Sequence, residues 1–511
     1  MKSIKTIGIV GAGAMGRGIA QIAAQAGLTV CLFDVNPQAT TAARDHLEQL
    51  WARLSAKGKI TAELAAGSLQ RIQVCADLKE LIQADLVVEA VVERLDVKRD
   101  LFRQLENCVA PDCILASNTS SLSITAIAAG CAHPERVAGY HFFNPVALMK
   151  VVEVIDGLRT ASQTGDALMD LARRMGHTAV RAKDMPGFIV NHAGRGMSIE
   201  GVRLAQESVA SFSQIDAIMR EQAGFRMGPF ELMDLTGLDV SHPVMESIYR
   251  QFYDEPRFRP SPLTAVRYAG GMFGRKTGQG FYRYVEGQKQ VPAEPAAPAL
   301  PADLKTWVAP YQPVGHKRAA ALLRQLGAHV IAAEAPPPDA LIVVTPFGED
   351  TATVVAMHQL DGARTVALDT FFGLEQGKRR VLMCSAATQP SWRDAAHALF
   401  GVDGTAVSVI NDSPGFVAQR VVATIVNVAS DIAQQAIATP EDIDLAVSLG
   451  LGYPLHGPLT MGNTLGAAHI LEILRAMHRV TGDARYRASL WLQRRVQLGL
   501  PLQTEPMCKA Q

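Results

Sequence analysis

At 511 residues the chain exceeds what one ordinary hydrophobic core fills, so three or more domains are expected. It is 48% apolar and 19% charged with a formal net charge of zero, which gives no electrostatic reason to expect a nucleic acid or an acidic membrane surface as partner. No charged-then-apolar leader is evident, no run of about 18 apolar residues could form a span, and the seven cysteines (Cys31, Cys75, Cys108, Cys113, Cys131, Cys384, Cys508) lack metal-type spacing. They read as free thiols in a reducing compartment, so a cytoplasmic protein without a metal site is expected.

Short apolar runs alternate with helical patterns from the start. Strands are expected at Thr6–Val10, Thr29–Phe33, Ile72–Cys75, Asp85–Val91, Cys113–Ala116, Val137–Phe142 and Val151–Ile155. Apolar residues at helical spacing lie between them, as in Met15, Ile19, Ile22, Ala23 and Ala26. This alternation predicts an α/β fold, a Rossmann-like doubly wound sheet over residues 1–185. After Pro186-Gly187-Phe188 the strand signals stop and amphipathic segments take over, so residues 186–288 are expected to form an all-α domain. The Pro/Ala-rich stretch 289–303 reads as a semi-rigid linker.

Four more strand candidates follow the linker, at Ala340–Thr345, Arg364–Asp369, Arg379–Cys384 and Ala406–Ile410. They mark residues 304–411 as a degenerate α/β domain without a glycine fingerprint. Residues 412–511 repeat the helical domain. Asp184-Met-Pro-Gly-Phe-Ile-Val-Asn191 is echoed by Asp412-Ser-Pro-Gly-Phe-Val-Ala-Gln419, Ile215-Asp216 by Ile443-Asp444, and Gly228-Pro229 by Gly457-Pro458. Matches that hold one register over so long a stretch point to an internal duplication.

Strand Thr6–Val10 runs directly into Gly11-Ala-Gly13-Ala-Met-Gly16, and a helix follows. Gly11 allows a tight turn, Gly13 lets backbone approach a pyrophosphate, and Gly16 lets helix and strand pack closely. The helix N-terminus adds free N–H groups and a positive dipole end. Asp34, at the end of the second strand, can accept hydrogen bonds from ribose hydroxyls and would repel a 2′-phosphate, which favours NAD over NADP. FAD shares this fingerprint, and the loop alone does not separate the two.

Polar residues gather on four further segments: Ala116-Ser-Asn-Thr-Ser-Ser121, His141-Phe-Phe-Asn-Pro145, Val151-Val-Glu-Val154 and Pro186-Gly-Phe-Ile-Val-Asn191. Singly, each has a structural alternative: His141 a core histidine, Glu153 an edge carboxylate, Ser120 a helix cap, Asn191 a solvent-facing amide. Together and in this order they resemble the 3-hydroxyacyl-CoA dehydrogenase family, from the glycine loop to Gly274-Arg-Lys-Thr-Gly-Gln-Gly-Phe-Tyr282. Linker and decayed repeat together are most similar to the long phenylacetate-degradation type of that family.

The resemblance implies NAD-dependent oxidation of (3S)-3-hydroxyacyl-CoA to 3-ketoacyl-CoA, with 3-hydroxyadipyl-CoA as substrate. Oxidation of short-chain 3-hydroxybutyryl-CoA, and a catalytically silent NAD-binding protein of the same fold, stay open beside it. It implies His141 as base, Glu153 as its carboxylate partner, and Ser120 and Asn191 at the substrate oxygen. It further implies Glu93, Lys98, Asn144 and Lys276 against NAD, and Lys57 on CoA. An imidazole suits proton removal near neutrality, and a carboxylate fixes its tautomer.

Two features depart from the family. Where a basic residue and a well-packed helix are usual after Asn191, this chain has His192-Ala-Gly194-Arg195-Gly196, and two helical glycines cost about 1 kcal/mol each relative to alanine. The second copy lacks the HFFNP segment and has Gln419 in place of Asn191, so it is expected to be structural. It could serve as a built-in dimer partner, a pseudo-dimer, with further homo-oligomers still open. For a dicarboxylyl chain, Arg195, Arg226 and Arg275 are the available cations.

Overall fold

In the computed structural model, which describes residues 4–505, the first alternating runs become β1 (Thr6–Val10), β2 (Thr29–Phe33), β3 (Ile72–Val74), β4 (Leu86–Glu89), β5 (Ile114–Ser117), β6 (Val137–Phe142), β7 (Val151–Asp156) and β8 (Thr178–Lys183). Cys508 lies outside the described residues. The strands form one sheet in the order β3-β2-β1-β4-β5-β6-β7-β8, parallel except between β6 and β7. Seven strands were expected; β8 was not. Its Thr-Ala-Val-Arg-Ala-Lys run is weakly apolar, and the strand is specified by pairing along its whole length with the buried β7.

One sheet face offers Ile7, Ile9, Val30, Leu32, Leu86 and Val88 to Ile19, Ala20 and Ala23 of the Ala14–Gln25 helix and to Leu47 and Trp51 of the Pro37–Ala56 helix. The Leu95–Cys108 helix, with Phe102 and Leu105 fully buried, packs on β5. Burying each such large side chain contributes roughly 1.5–3 kcal/mol. This doubly wound arrangement delivers the strand carboxyl ends to one edge, where ligands of open α/β sheets bind.

The chain folds as two compact units. The first comprises the residues through His192 together with Gln435–Leu451. The second comprises Ala193–Gln434 and Gly452–Thr504.

Residues 186–288, of which those from Ala193 on lie in the second unit, were expected to be wholly helical. Their helices end in a small hairpin, β9 (Arg283–Val285) with β10 (Gln288–Gln290). The irregular stretch after it is tethered by Glu294, whose carboxylate pairs with the Arg379 guanidinium at 2.7 Å. A six-stranded sheet follows, built from β11 (Lys305–Val308), β12 (His329–Val330), β13 (Ala340–Val344), β14 (Thr365–Leu368), β15 (Arg380–Cys384) and β16 (Val407–Asn411). Its order is β12-β11-β13-β14-β15-β16, antiparallel only between β14 and β15. The four expected strands are its last four; the short β11 and β12 extend one edge.

The Val417–Gln434 helix of the second copy is buried along nearly its whole length and packs against the Arg195–Gln206 helix of the first. A Cβ on Gly196 would stand 2.9 Å from the Ile425 Cα. The glycine that weakens its own helix therefore lets two helix backbones meet. Each unit also contains a splice between copies. Within the first, the Lys183 N–H donates to the Ile437 carbonyl at 2.8 Å, and the Pro440–Leu451 helix packs on β7 and β8. Within the second, the Asn411 N–H donates to the Val209 carbonyl at 2.9 Å. Among the described residues, no helix is long and apolar enough to cross a membrane, and no group of three or more His, Cys, Asp and Glu side chains is placed to hold a metal ion.

Candidate active site

The glycine loop is shaped as its spacing predicts. Gly11 has φ +106°, and a Cβ there would lie 2.6 Å from the Ala90 carbonyl oxygen. A Cβ on Gly16 would lie 1.8 Å from the Gly11 carbonyl oxygen, so only hydrogen fits between helix and turn. Gly13 is the opposite case: a Cβ there would meet nothing within 4 Å. That open backbone caps the Ala14–Gln25 helix without a side-chain hydrogen bond, which leaves helix N–H groups for an anion. Asp34 is half-buried at the end of β2, accepting from the Ala12 N–H at 2.8 Å and the Asn36 N–H at 2.9 Å. Its remaining lone pairs suit ribose hydroxyls, so the cradle fits a dinucleotide.

Beyond the loop, β6 and β7 set His141 directly opposite Glu153 in antiparallel register. His141 is 3% exposed and Glu153 fully buried. The imidazole Nδ1 lies 2.6 Å from Glu153 Oε2, while Nε2 lies 3.2 Å from Ser120 Oγ. Glu153 Oε1 accepts from the Ile189 and Val190 N–H groups, both at 2.9 Å. Those amides are aimed by the Pro186–Phe188 turn, in which Gly187 (φ +75°) and Phe188 (φ +49°) adopt left-handed backbone. A carboxylate is acceptor-only, so Nδ1 carries the proton and Nε2 presents its lone pair toward Ser120. Asn191 donates from Nδ2 to the Ser120 carbonyl at 3.2 Å, and so closes the group. Phe143 and Phe188 flank the imidazole, with ring centroids 4.5 and 5.9 Å away.

All four residues thus meet inside the first unit. The other expected contacts divide. Lys98 is 1% exposed rather than a surface lysine, and its Nζ donates to Glu89 Oε1 at 2.6 Å and lies 3.3 Å from Glu93 Oε2. Glu93 Oε1 accepts from the Thr119 hydroxyl at 2.6 Å and from the Ser120 and Ser121 N–H groups at 2.9 and 3.1 Å. Burial alone would push the Glu93 carboxyl up, but Lys98 and these donors outweigh it and hold it below the ordinary range. Asn144 is exposed at the end of HFFNP. Lys57 closes the Pro37–Ala56 helix and is exposed. Lys276 belongs to the second unit, where its ammonium pairs with Asp239 at 2.5 Å.

Sequence reasoning missed Glu89. It is fully buried at the end of β4, accepting from Lys98, from the Val91 N–H at 2.7 Å and from the Ser117 hydroxyl at 2.6 Å. Asn118 was also missed; its Oδ1 accepts from the Phe142 N–H at 2.8 Å and ties the Ser120 loop to the His141 strand. The available signal was an acid closing an apolar run, Leu86-Val-Val-Glu89.

Comparisons with known proteins agree with this architecture. Residues 6–185 match the 3-hydroxyacyl-CoA dehydrogenase NAD binding domain. Residues 187–284 and again 415–505 match the C-terminal domain of that family, and 350–414 match the 3-hydroxybutyryl-CoA dehydrogenase reduced Rossmann-fold domain. The 3-hydroxyadipyl-CoA dehydrogenase of Escherichia coli (strain K12) is 37% identical over 501 residues, 98% of each chain. A probable 3-hydroxybutyryl-CoA dehydrogenase of Bacillus subtilis (strain 168) is 43% identical over 283 residues, 55% of this chain and 98% of that one. The crystal structure of a 3-hydroxybutyryl-CoA dehydrogenase from Escherichia coli K12 superimposes with a TM-score of 0.85 at 35% identity, covering 97% of this chain and 99% of that one. The chain belongs to the 3-hydroxyacyl-CoA dehydrogenase family and is an NAD-dependent oxidoreductase of 3-hydroxyacyl-CoA thioesters.

Proposed function

We propose that the enzyme oxidises (3S)-3-hydroxyadipyl-CoA to its 3-keto thioester, with His141 as general base. The observation that carries this reading is the imidazole held between Glu153 and Ser120, with the Nε2 lone pair toward the Ser120 hydroxyl. His141 Nε2 takes the C3 hydroxyl proton, and Glu153 stabilises the imidazolium that forms. The Ser120 hydroxyl and Asn191 amide hold the substrate oxygen as it becomes a carbonyl. The Gly11–Gly16 loop and Asp34 would hold NAD, which would supply the acceptor for the hydride leaving C3. Glu93 and Lys98, which fix the Thr119–Ser121 backbone, are assigned with Asn144 to the cofactor, and Lys57 to CoA.

The adipyl assignment is supported by the relative that matches nearly the whole chain, linker and second copy included. The rival acyl group is hydroxybutyryl, favoured by the name of the Bacillus subtilis relative and of the superimposable crystal structure. NADH absorbance with 3-hydroxyadipyl-CoA and 3-hydroxybutyryl-CoA decides between them: the reading expects a higher kcat/KM for the adipyl thioester and fails if the butyryl thioester is preferred. Two further assignments follow. The helix contact at Gly196 and the two splices support an internal pseudo-dimer, in which each copy supplies the partner that a second subunit would otherwise be. The six described cysteines are free thiols, which suits the cytoplasm.

A further inference from the structure

The pairing of β5 with β6 ends at Ser117 and Gly139, while β6 runs on through His141 to Phe142. The Ser120 loop therefore leaves the sheet before the base strand reaches the site. Toward β4 the loop is well held. The Glu89 carbonyl accepts from the Asn118 N–H at 2.8 Å and its carboxylate from the Ser117 hydroxyl, while Glu93 accepts from Thr119, Ser120 and Ser121. Toward β6, Ser120 Oγ meets His141 Nε2 at 3.2 Å, and the Phe142 N–H donates to Asn118 Oδ1 at 2.8 Å. Asn118 is 8% exposed and Phe142 1%, so water is a poor substitute for either partner. The Phe142 N–H is a donor, which fixes the carboxamide with its oxygen toward β6. The amide thus adds one rung past the end of the β5–β6 ladder, at the residue next to the base.

The second sheet lacks this rung. There Val344 pairs with Ala367 where Ser117 pairs with Gly139, which puts Thr345 at the place of Asn118 and Thr370 at that of Phe142. Thr345 is 3% exposed, and its hydroxyl finds no hydrogen-bond partner among the described residues. It packs on the Pro313–Gln325 helix, where a Cβ on Gly315 would stand 2.4 Å from Thr345 Oγ1. The tie is present beside His141 and missing at the edge that has no base.

We propose that Asn118 is a positioning residue for the oxidation: its carboxamide oxygen locks the Ser120 loop to the base strand and so sets the span between Ser120 Oγ and His141 Nε2 that receives the C3 hydroxyl. Glu153 orients the imidazole with or without the rung, so what Asn118 adds is the placement of the Ser120 hydroxyl opposite it. Proton removal and stabilisation of the forming carbonyl act on one oxygen, and a misplacement of about 1 Å between the two groups costs up to about 100-fold in rate. The assignment rests on the reading that His141 is the base and that Ser120 meets the substrate oxygen.

The test follows NADH absorbance of the full chain with the better of 3-hydroxyadipyl-CoA and 3-hydroxybutyryl-CoA, and takes the Kd of NADH from its fluorescence. Asn118→Leu keeps the size of the side chain and removes the acceptor; kcat falls about 30-fold while the NADH Kd stays within about 3-fold of wild type. Asn118→Asp still presents an oxygen to the Phe142 N–H and recovers kcat to within about 5-fold of wild type. Asn118→Thr, which copies the second edge, falls as Asn118→Leu does and replaces it should the leucine variant fail to fold. Wild-type kcat in both of these variants, a loss that Asn118→Asp does not recover, or a loss confined to NADH affinity each overturns the positioning role. His141→Ala separates the two levels. If it keeps the wild-type rate, the reading of His141 as base fails; if it collapses while Asn118→Leu is unimpaired, the positioning role fails alone.

Discussion

In the first sheet Gly139 on β6 pairs with Ile155 on β7; in the second, Ala367 on β14 pairs with Met383 on β15. Carried two residues along each strand pair, the places of His141 and Glu153 become Asp369 and Val381. The pairing of Ser117 with Gly139 and of Val344 with Ala367 likewise puts Phe347 at the place of Ser120, while Gln419 stands for Asn191. The second edge keeps its polarity but turns it inward. Gln419 donates to Asp369 Oδ1 at 2.9 Å and to the Pro346 carbonyl at 3.2 Å, and Gln222 donates to Asp369 Oδ2 at 3.1 Å. A backbone frame can thus outlast its chemistry. At the register position of the base, a buried acid accepts from two side-chain amides.

The largest expected effect is on the base. His141→Ala should lower kcat about 1000-fold in an NADH absorbance assay, whereas Asp369→Asn should keep the wild-type rate. Equal losses would erase the distinction between the two edges. Glu153→Gln preserves an acceptor for the Ile189 and Val190 amides but gives up the charge opposite His141, so kcat should fall about 100-fold with little change in Tm. A Tm collapse instead would make Glu153 a folding residue first.

Glu89→Gln leaves the buried Lys98 with only Glu93 as a charged partner and should cost about 2 kcal/mol in denaturant unfolding. A neutral result would mean that the Ser120 loop does not depend on that pair. The last effect, read through pH, belongs to Asp369. Burial pushes its carboxyl up to about 6, although Gln419, the Phe371 N–H and Gln222 pull the other way. The protonated form is therefore favoured in the fold; its stabilising share is complete below about pH 4 and is lost as pH rises through 6. Relative to Asp369→Asn, wild type should lose about 2 kcal/mol between pH 4 and 7. A difference flat in pH would show that the carboxyl is ionised throughout.

Much of the site was legible because it is written locally. Gly11, Gly13, Gly16 and Asp34 are fixed by one turn and one strand end, and His141 sits within a contiguous motif. Residues whose meaning depends on distant partners were harder to read. An acid after three apolar residues reads as a strand edge until Lys98 and Ser117 converge on Glu89. The polar alternation of β8 reads as loop until β7 pairs with it. Gly196 reads as a weak point in a helix until Ile425, far along the chain, lies against it.

One pair within the duplicated helices bears on how such a chain can change. Arg420 and Glu200, each 1% exposed, form a buried ion pair at 2.7 Å that the Tyr486 hydroxyl joins at 2.8 Å. In the repeat register their mirror positions are His192 and Val428, so the pair exists once and not twice. Two identical subunits could not make that choice, because every substitution would recur across the axis. Fusing the halves in one chain removes this constraint. Each side of the contact can drift separately.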